Sequence, residues 1–222
     1  MSAYFVTATG TDVGKTYVGA ALIRYWCAKG IAARALKPLV SGFPGDDVSA
    51  SDPGVLLRAM GEAVTEENLA ALSPWRFAEP LSPDMAAARE DRSIPYDELI
   101  AFCTKAIAQA KGPLLVEGVG GVMVPLDARH TVLDWMADLE LPLLLVAGSY
   151  LGSISHTLTA LAALDARGLK PRALVLNDTG NAPVPLEETA AAIARFAPGI
   201  AIVTIPRNAT NDEISRLAAL LA

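Results

Sequence analysis

The sequence predicts an α/β fold: a doubly wound, mostly parallel sheet with helices on both faces and a variant phosphate loop. Two observations carry that prediction. Short aliphatic or β-branched runs alternate along the chain with helical patterns. Most of the runs are continuously apolar, as strands covered on both faces are, and do not alternate in and out. The second observation is that the first strand runs through a loop ending Gly14-Lys15-Thr16 into the first helix, the placement that phosphate binding uses in such sheets.

In order, the expected strands are Tyr4–Ala8, Ala33–Lys37, Leu114–Glu117, Leu143–Ala147, Ala173–Asn177 and Ala201–Ile205. The helix Lys15–Lys29 follows the first strand and stops at Gly30, a residue type suited to the position after a helix. Pro95–Ala110 is ended by Gly112 and Pro113, and Ser153–Arg167 by Gly168. Pro185–Phe196 begins with proline, which suits a first turn. Asn211 reads as the cap of a last helix, Asn211–Leu221. Residues 41–90 differ, being rich in Pro, Gly, Ser and Asp with no clear strand. They read as short helices, Pro53–Met60 and Pro83–Glu90 among them, joined by loops. An excursion that long from an α/β core points to function. No domain boundary is visible, so residues 1–222 are read as a single domain.

Of the 222 residues, 52% are hydrophobic and 19% charged, enough apolar material for a large core. Eighteen Lys and Arg stand against 24 Asp and Glu, a net charge of −6, which disfavours a nucleic-acid partner. Cys27 and Cys103 are too few for a disulfide framework, and His130 and His156 too few for a His-rich metal site. The longest apolar stretch, Leu141–Ala147, is far short of a membrane span. With no basic segment ahead of the first apolar residues, the expectation is a cytoplasmic protein.

The loop reads Ala8-Thr9-Gly10-Thr11-Asp12-Val13-Gly14-Lys15-Thr16. Backbone N–H groups of such a loop and of the helix start point at an anion, and the helix dipole adds to the attraction. Gly14 lets backbone approach, Lys15 reaches the outer phosphates, and the Thr16 hydroxyl suits Mg²⁺. The standard spacing is not met, since Thr9 holds its first glycine position.

Four ordered segments together resemble the dethiobiotin synthetase family. Thr9–Thr16 is similar to its loop G-T-D-T-x-V-G-K-T, Lys37-Pro38-Leu39-Val40-Ser41-Gly42 to its K-P-V-x-S-G, Phe77–Pro83 to its F-x-x-P-x-S-P, and Val116–Gly121 to its V-E-G-A-G-G. Weaker matches run through Leu151–His156, Asn177-Asp178 and Ile205-Pro206. Ala8 replaces the first loop glycine and Gly10 stands where the family has Asp, which reads as one compensated shift of the flexible residue. The resemblance implies an ATP- and Mg²⁺-dependent ring closure of 7,8-diaminopelargonic acid with CO₂ or bicarbonate to dethiobiotin. It also implies ADP and phosphate as co-products, and a homodimer with the substrate site near the subunit boundary.

The residues are weighed against that scheme one by one. Lys15 and Lys37 are the catalytic candidates, two cations for the carbamate and the transferred phosphoryl group. Lys37 by itself equally suits a solvated strand-end lysine. Ser41 suits a hydrogen bond to the diamine or carbamate, or a turn before Gly42. Glu117 ends an apolar strand in a Walker-B-like position and suits Mg²⁺, or a buried acid satisfied by loop N–H groups. Asp52 precedes Pro53 and reads as an N-cap with proline at the first helical position. By resemblance it matches an acid that ligates Mg²⁺ with Thr16 and Glu117. Asp46 and Asp47 compete with it. Asn177 suits the donor and acceptor edges of adenine, or a turn start. Leu151, Gly152 and Ser153 open a helix whose N–H groups suit the substrate carboxylate, or are a plain helix start. His156 reads as a packing or surface residue. The nucleotide-binding set the resemblance implies is completed by Thr11, Asp12, Val13, Gly14, Tyr17, Gly118, Val119, Gly120, Asp178, Pro206, Arg207 and Asn208.

Two other functions fit a phosphate loop. A nucleotide-switch ATPase acting through a protein partner generally carries a second lysine early in the loop, and Thr9-Gly10-Thr11 offers none. A cousin of amide-forming enzymes would need a glutaminase domain with a nucleophilic cysteine, whereas Cys103 falls mid-helix.

Overall fold

The computed structural model describes residues 3–180 and 182–221. Strand β1 (Ala3–Ala8) leads through the loop into α1 (Lys15–Ala28), followed by β2 (Arg34–Leu36), β3 (Leu39–Ser41), α2 (Asp52–Ala59) and α3 (Glu66–Leu72). Then come β4 (Trp75–Phe77), α4 (Pro83–Arg89), α5 (Tyr96–Gln109), β5 (Leu114–Glu117), α6 (Val132–Leu139) and β6 (Leu143–Gly148). The chain closes through α7 (Ser153–Asp165), β7 (Pro171–Asn177), α8 (Leu186–Phe196), β8 (Ala201–Ile205) and α9 (Asn211–Leu220).

The main sheet has the order β2-β5-β1-β6-β7-β8, and every pairing in it is parallel. Successive strand residues face opposite layers. Tyr4, Val6, Leu115 and Val146 pack with Val18, Leu22, Leu56 and Leu217 from α1, α2 and α9. Phe5, Val116 and Leu145 pack with Leu99, Trp135, Leu164 and Ile193 from α5 to α8. Because both faces are covered, the strands are mostly apolar on both sides, with polar residues such as Glu117 and Asn177 at their carboxyl ends. The first crossover runs from β1 to the edge strand β2, while later ones step back across β1 to the other edge. Right-handed crossovers in opposite directions put helices on opposite faces and open a crevice at the carboxyl ends of the central strands.

All six strands expected for this sheet are present, within two residues of their expected bounds. The segment 41–90 departs from the expectation. Leu39–Ser41 and Trp75–Phe77 pair as a second, two-stranded parallel sheet with Val40 opposite Arg76. Three-residue strands carry no readable period, and their pairing exists only once the chain has folded. Helices α2, α3 and α4 are the short helices expected of that segment, and α6 lies where the sequence predicts no element. The last helix is capped by Thr210, not Asn211: its hydroxyl accepts from the Asp212 N–H at 3.2 Å, and Glu213 accepts the Thr210 N–H at 2.8 Å. Pro185 is the residue before α8, not its first turn. Among the described residues, no helix is long and apolar enough to cross a membrane.

Candidate active site

Ala8 ends β1 fully buried, and the chain then turns. The left-handed positions in the loop are Asp12 (φ +57°) and Gly14 (φ +99°). Gly14 is required: a Cβ there would lie 2.3 Å from Asn177 Nδ2. Gly10 has no positive φ, and a Cβ there would meet nothing within 4 Å. The expected shift of flexibility from position 8 to position 10 is therefore absent, because the strain falls at Asp12 and Gly14. The turn after β5 lies alongside, with Gly118 N–H donating to Val6 O at 2.9 Å and Val122 N–H to Ala8 O at 3.1 Å. Lys15 spans the two loops, its Nζ donating to Gly10 O (3.1 Å) and Gly120 O (2.8 Å). Burial, and then the nearby Lys37 charge, lower the Lys15 pKa to about 8.

Lys37 leaves β2 and is only 2% exposed, so the solvated-lysine reading fails. Its Nζ lies 2.7 Å from Glu117 Oε1, 2.8 Å from Gly118 O and 3.3 Å from Asp52 Oδ2. Burial by itself would lower its pKa, but Glu117 and Asp52 outweigh that and hold it above the ordinary lysine value. The Thr16 hydroxyl donates to the same Glu117 Oε1 at 2.7 Å. The other oxygen, Oε2, is buried without a partner near Gly19 of α1. Glu117 is thus held by side chains, and the reading in which loop N–H groups satisfy it does not apply. The backbone of Lys37 is fixed too: its carbonyl accepts from the hydroxyl of fully buried Ser73.

Asp52 is not a helix cap. Ser51 is the N-cap of α2, its hydroxyl accepting from Gly54 N–H at 3.2 Å, and Asp52 begins the helix proper. The Asp52 carboxylate is left free to face Lys37. Burial raises its pKa, yet the Lys37 charge prevails and holds it below the usual carboxylate value.

These groups line one cavity of about 960 Å³. From the sequence-predicted set it brings together Thr11, Asp12, Gly14, Lys15, Thr16, Lys37, Ser41, Asp52, Val119 and Gly120. Asp47 lines it as well, whereas Asp46 does not. Pro80, Leu81, Ser82, Pro83 and Val124 also line it. The first four lie in the Phe77–Pro83 motif, to which the sequence by itself assigns no role. Glu117 and Gly118 sit just beneath, touching Lys37.

The remaining predicted residues lie elsewhere on the carboxyl edge. Val13 is buried beneath the loop, and Tyr17 is 43% exposed on α1. Asn177 donates from Nδ2 to Val13 O at 3.0 Å. Asp178 Oδ1 accepts from Gly180 N–H at 2.7 Å, and Arg207 donates to Thr179 O at 3.2 Å. Pro206 is half-buried, and Arg207 and Asn208 are exposed after β8. Leu151 is 86% exposed, while Ser153 is buried at the start of α7. His156 bonds Tyr150 at 2.8 Å.

The residues proposed for Mg²⁺ fit such an ion. Hard oxygen donors suit Mg²⁺. Here the carboxylates of Asp52 and Glu117 already gather around one positive charge, the Lys37 ammonium, with the Thr16 hydroxyl adjoining. Among the described residues no group of three or more His, Cys, Asp or Glu side chains could hold a metal. A cation here would therefore need ligands from a bound nucleotide.

Comparison with known proteins gives the arrangement its family. A family model described as an AAA domain matches residues 2–215. The ATP-dependent dethiobiotin synthetase BioD of Acidiphilium cryptum is 55% identical over 196 residues, 88% of each chain. That of Methylobacterium nodulans is 51% identical, covering 93% of this chain and 94% of its own. Among solved structures, the hydrogenase maturation factor HypB of Archaeoglobus fulgidus superposes with a TM-score of 0.58 at 14% identity, over 100% of this chain and 91% of its own. The cell division ATPase MinD of Pyrococcus furiosus gives 0.53 at 17%, over 97% and 88%. At such identities these two share the fold alone. The close relatives, over nearly the whole length, show that this chain belongs to the ATP-dependent dethiobiotin synthetase family.

Proposed function

We propose that the cavity carries out the ATP- and Mg²⁺-dependent closure of 7,8-diaminopelargonic acid and CO₂ to dethiobiotin, making the protein a cytoplasmic cyclo-ligase of biotin biosynthesis. The observation that carries this reading is the buried Lys37, held between Glu117 and Asp52 beside the phosphate loop. A switch ATPase has no need of such a lysine, and the near relatives are synthetases.

One amine of the substrate adds to CO₂, loses a proton and becomes a carbamate. Its oxygen attacks the γ-phosphorus of ATP and ADP leaves, giving a carbamic–phosphoric anhydride. The second amine attacks the carbonyl carbon, phosphate departs and a proton is lost, closing the cyclic urea. Phosphoryl transfer of this kind asks for positioning and charge compensation more than covalent help. Lys15 supplies charge at the outer phosphates. Lys37 supplies it at the carbamate, and the Ser41 hydroxyl at the cavity wall orients the diamine. Mg²⁺, when bound by Thr16, Asp52, Glu117 and the phosphates, adds positive charge against the γ-phosphoryl group.

Leu151, Gly152 and Ser153 lie outside the cavity lining, and Leu151 is almost fully exposed. That suits a contact with substrate across a homodimer boundary. Sedimentation equilibrium should return twice the monomer mass. For the reaction, the protein is incubated with diamine, bicarbonate, Mg²⁺ and ATP, and mass spectrometry looks for dethiobiotin. ADP release that ignores the diamine and appears only with a protein partner would sink the proposal.

A further inference from the structure

Asn177 ends β7, two strands away from β1, yet its side chain reaches the phosphate loop. Asn177 is 7% exposed, and its Nδ2 donates to Val13 O at 3.0 Å. Gly14 follows directly. A Cβ there would lie 2.3 Å from Nδ2 and 3.1 Å from Cγ of Asn177, so the amide nitrogen end abuts the loop where only glycine leaves room. Asn177 is itself held, paired with Gly148 across β6, while the next N–H, of Asp178, donates to Ile205 O at 2.9 Å.

From this geometry we infer that Asn177 is a positioning residue of the phosphate loop, setting the loop for a triphosphate before any nucleotide arrives. The inference rests on the phosphate-loop reading and goes beyond a contact with the base. A trans peptide is planar, so its carbonyl and the following N–H point in opposite directions. Fixing Val13 O toward β7 aims the Gly14 N–H the other way. Gly14 lines the cavity, so that direction serves an anion there. The amide oxygen makes no hydrogen bond among the described residues, so the same side chain remains able to meet a base.

The test uses a ligand with phosphates and no base. Inorganic tripolyphosphate is titrated calorimetrically into the wild-type protein, Asn177→Ala, Asn177→Leu and Lys15→Ala, each with Mg²⁺. The expected result is a roughly three- to tenfold weaker affinity in both Asn177 variants, the worth of one buried hydrogen bond. Hydrogen exchange in the ligand-free variants should accelerate over residues 9–16 while β1 and β7 stay protected, which separates loop release from unfolding. Unchanged tripolyphosphate affinity with weakened ATP binding would assign Asn177 to the base alone and overturn the inference. Wild-type protein that binds ATP but not tripolyphosphate would overturn it too, since a preset loop needs no base. Wild-type binding of tripolyphosphate that is indifferent to Lys15→Ala would instead remove the phosphate-loop reading and this inference with it.

Discussion

Lys15 and Lys37 carry the same charged group, and their surroundings push it in opposite directions. Lys15 is buried beside another cation, with a pKa near 8, whereas Lys37 is locked between two acids. Below about pH 8 the Lys15 ammonium is present in the free enzyme, and above it the charge is lost. We therefore expect kcat/KM for ATP to fall as pH rises through about 8. A bound triphosphate favours the ammonium, so kcat should fall only at higher pH. Lys15→Arg should abolish the fall; a profile already flat in the wild type would remove Lys15 from the phosphates. Lys15→Ala should lose about 10²–10³ in kcat, the effect of one well-aimed charge contact. For the acids, Glu117→Gln should raise the Mg²⁺ requirement more than Asp52→Asn, because Glu117 Oε1 also holds Thr16 and Lys37. Activity against Mg²⁺ at fixed ATP decides this, and the reverse ranking would make Asp52 the principal ligand.

At the scale of elements, α2 is set by its cap. Ser51 accepts from Gly54 N–H and donates to Val48 O at 2.5 Å, which places Asp52 in the first turn facing Lys37. Ser51→Ala should cost about 1 kcal/mol, a drop in Tm of roughly 2–4 °C for a chain of this size. The same variant should need more Mg²⁺, since the carboxylate beside the lost cap is no longer aimed. A lower Tm with an unchanged Mg²⁺ curve would show that Asp52 is held by Lys37 alone. The second sheet works in a similar way: β3 carries Ser41 to the cavity wall, and the turn before β4 supplies the Ser73 hydroxyl that fixes the Lys37 carbonyl.

For the whole molecule, the candidate site draws on the ends of β1, β2, β3 and β5 and the starts of α1 and α2, with Asn177 of β7 bonded to the loop, so ligand binding there should tie distant segments together. A Mg²⁺–ATP analogue at a hundred times its Kd should stabilise the fold by about 2.7 kcal/mol, raising Tm by roughly 5–10 °C. Differential scanning calorimetry measures this, and in Lys15→Ala at the same ligand concentration the rise should shrink markedly. The core can be probed without touching the site. Trp135 is fully buried and packs edge-on against Phe5 with ring centroids 4.9 Å apart. Trp135→Ala should cost about 3–5 kcal/mol in denaturant unfolding; a loss under about 1 kcal/mol would mean that the core collapses to fill the space.

Local chemistry made much of this legible in advance. Continuous apolar runs mark the main-sheet strands because both faces are covered, and a strand, a loop with Gly14-Lys15-Thr16 and a helix are legible as the proposed phosphate site because all are neighbours in the chain. Position at a strand end marks Glu117, whereas Lys37 is favoured over a solvated lysine only through the family resemblance. What the chain could not reveal locally depends on partners far along it. The pairing of β3 with β4 joins segments too short to show a period. Asp52 before proline and Ser51 beside it are both good cap residues, and only the backbone path decided for Ser51. The environment of Lys37 was hidden for the same reason: a lysine prefers water unless acids 15 and 80 residues away are brought to it. Asn177 and Val13 stand 164 residues apart, and their contact exists because two parallel strands separated by a third end at the same edge of one sheet.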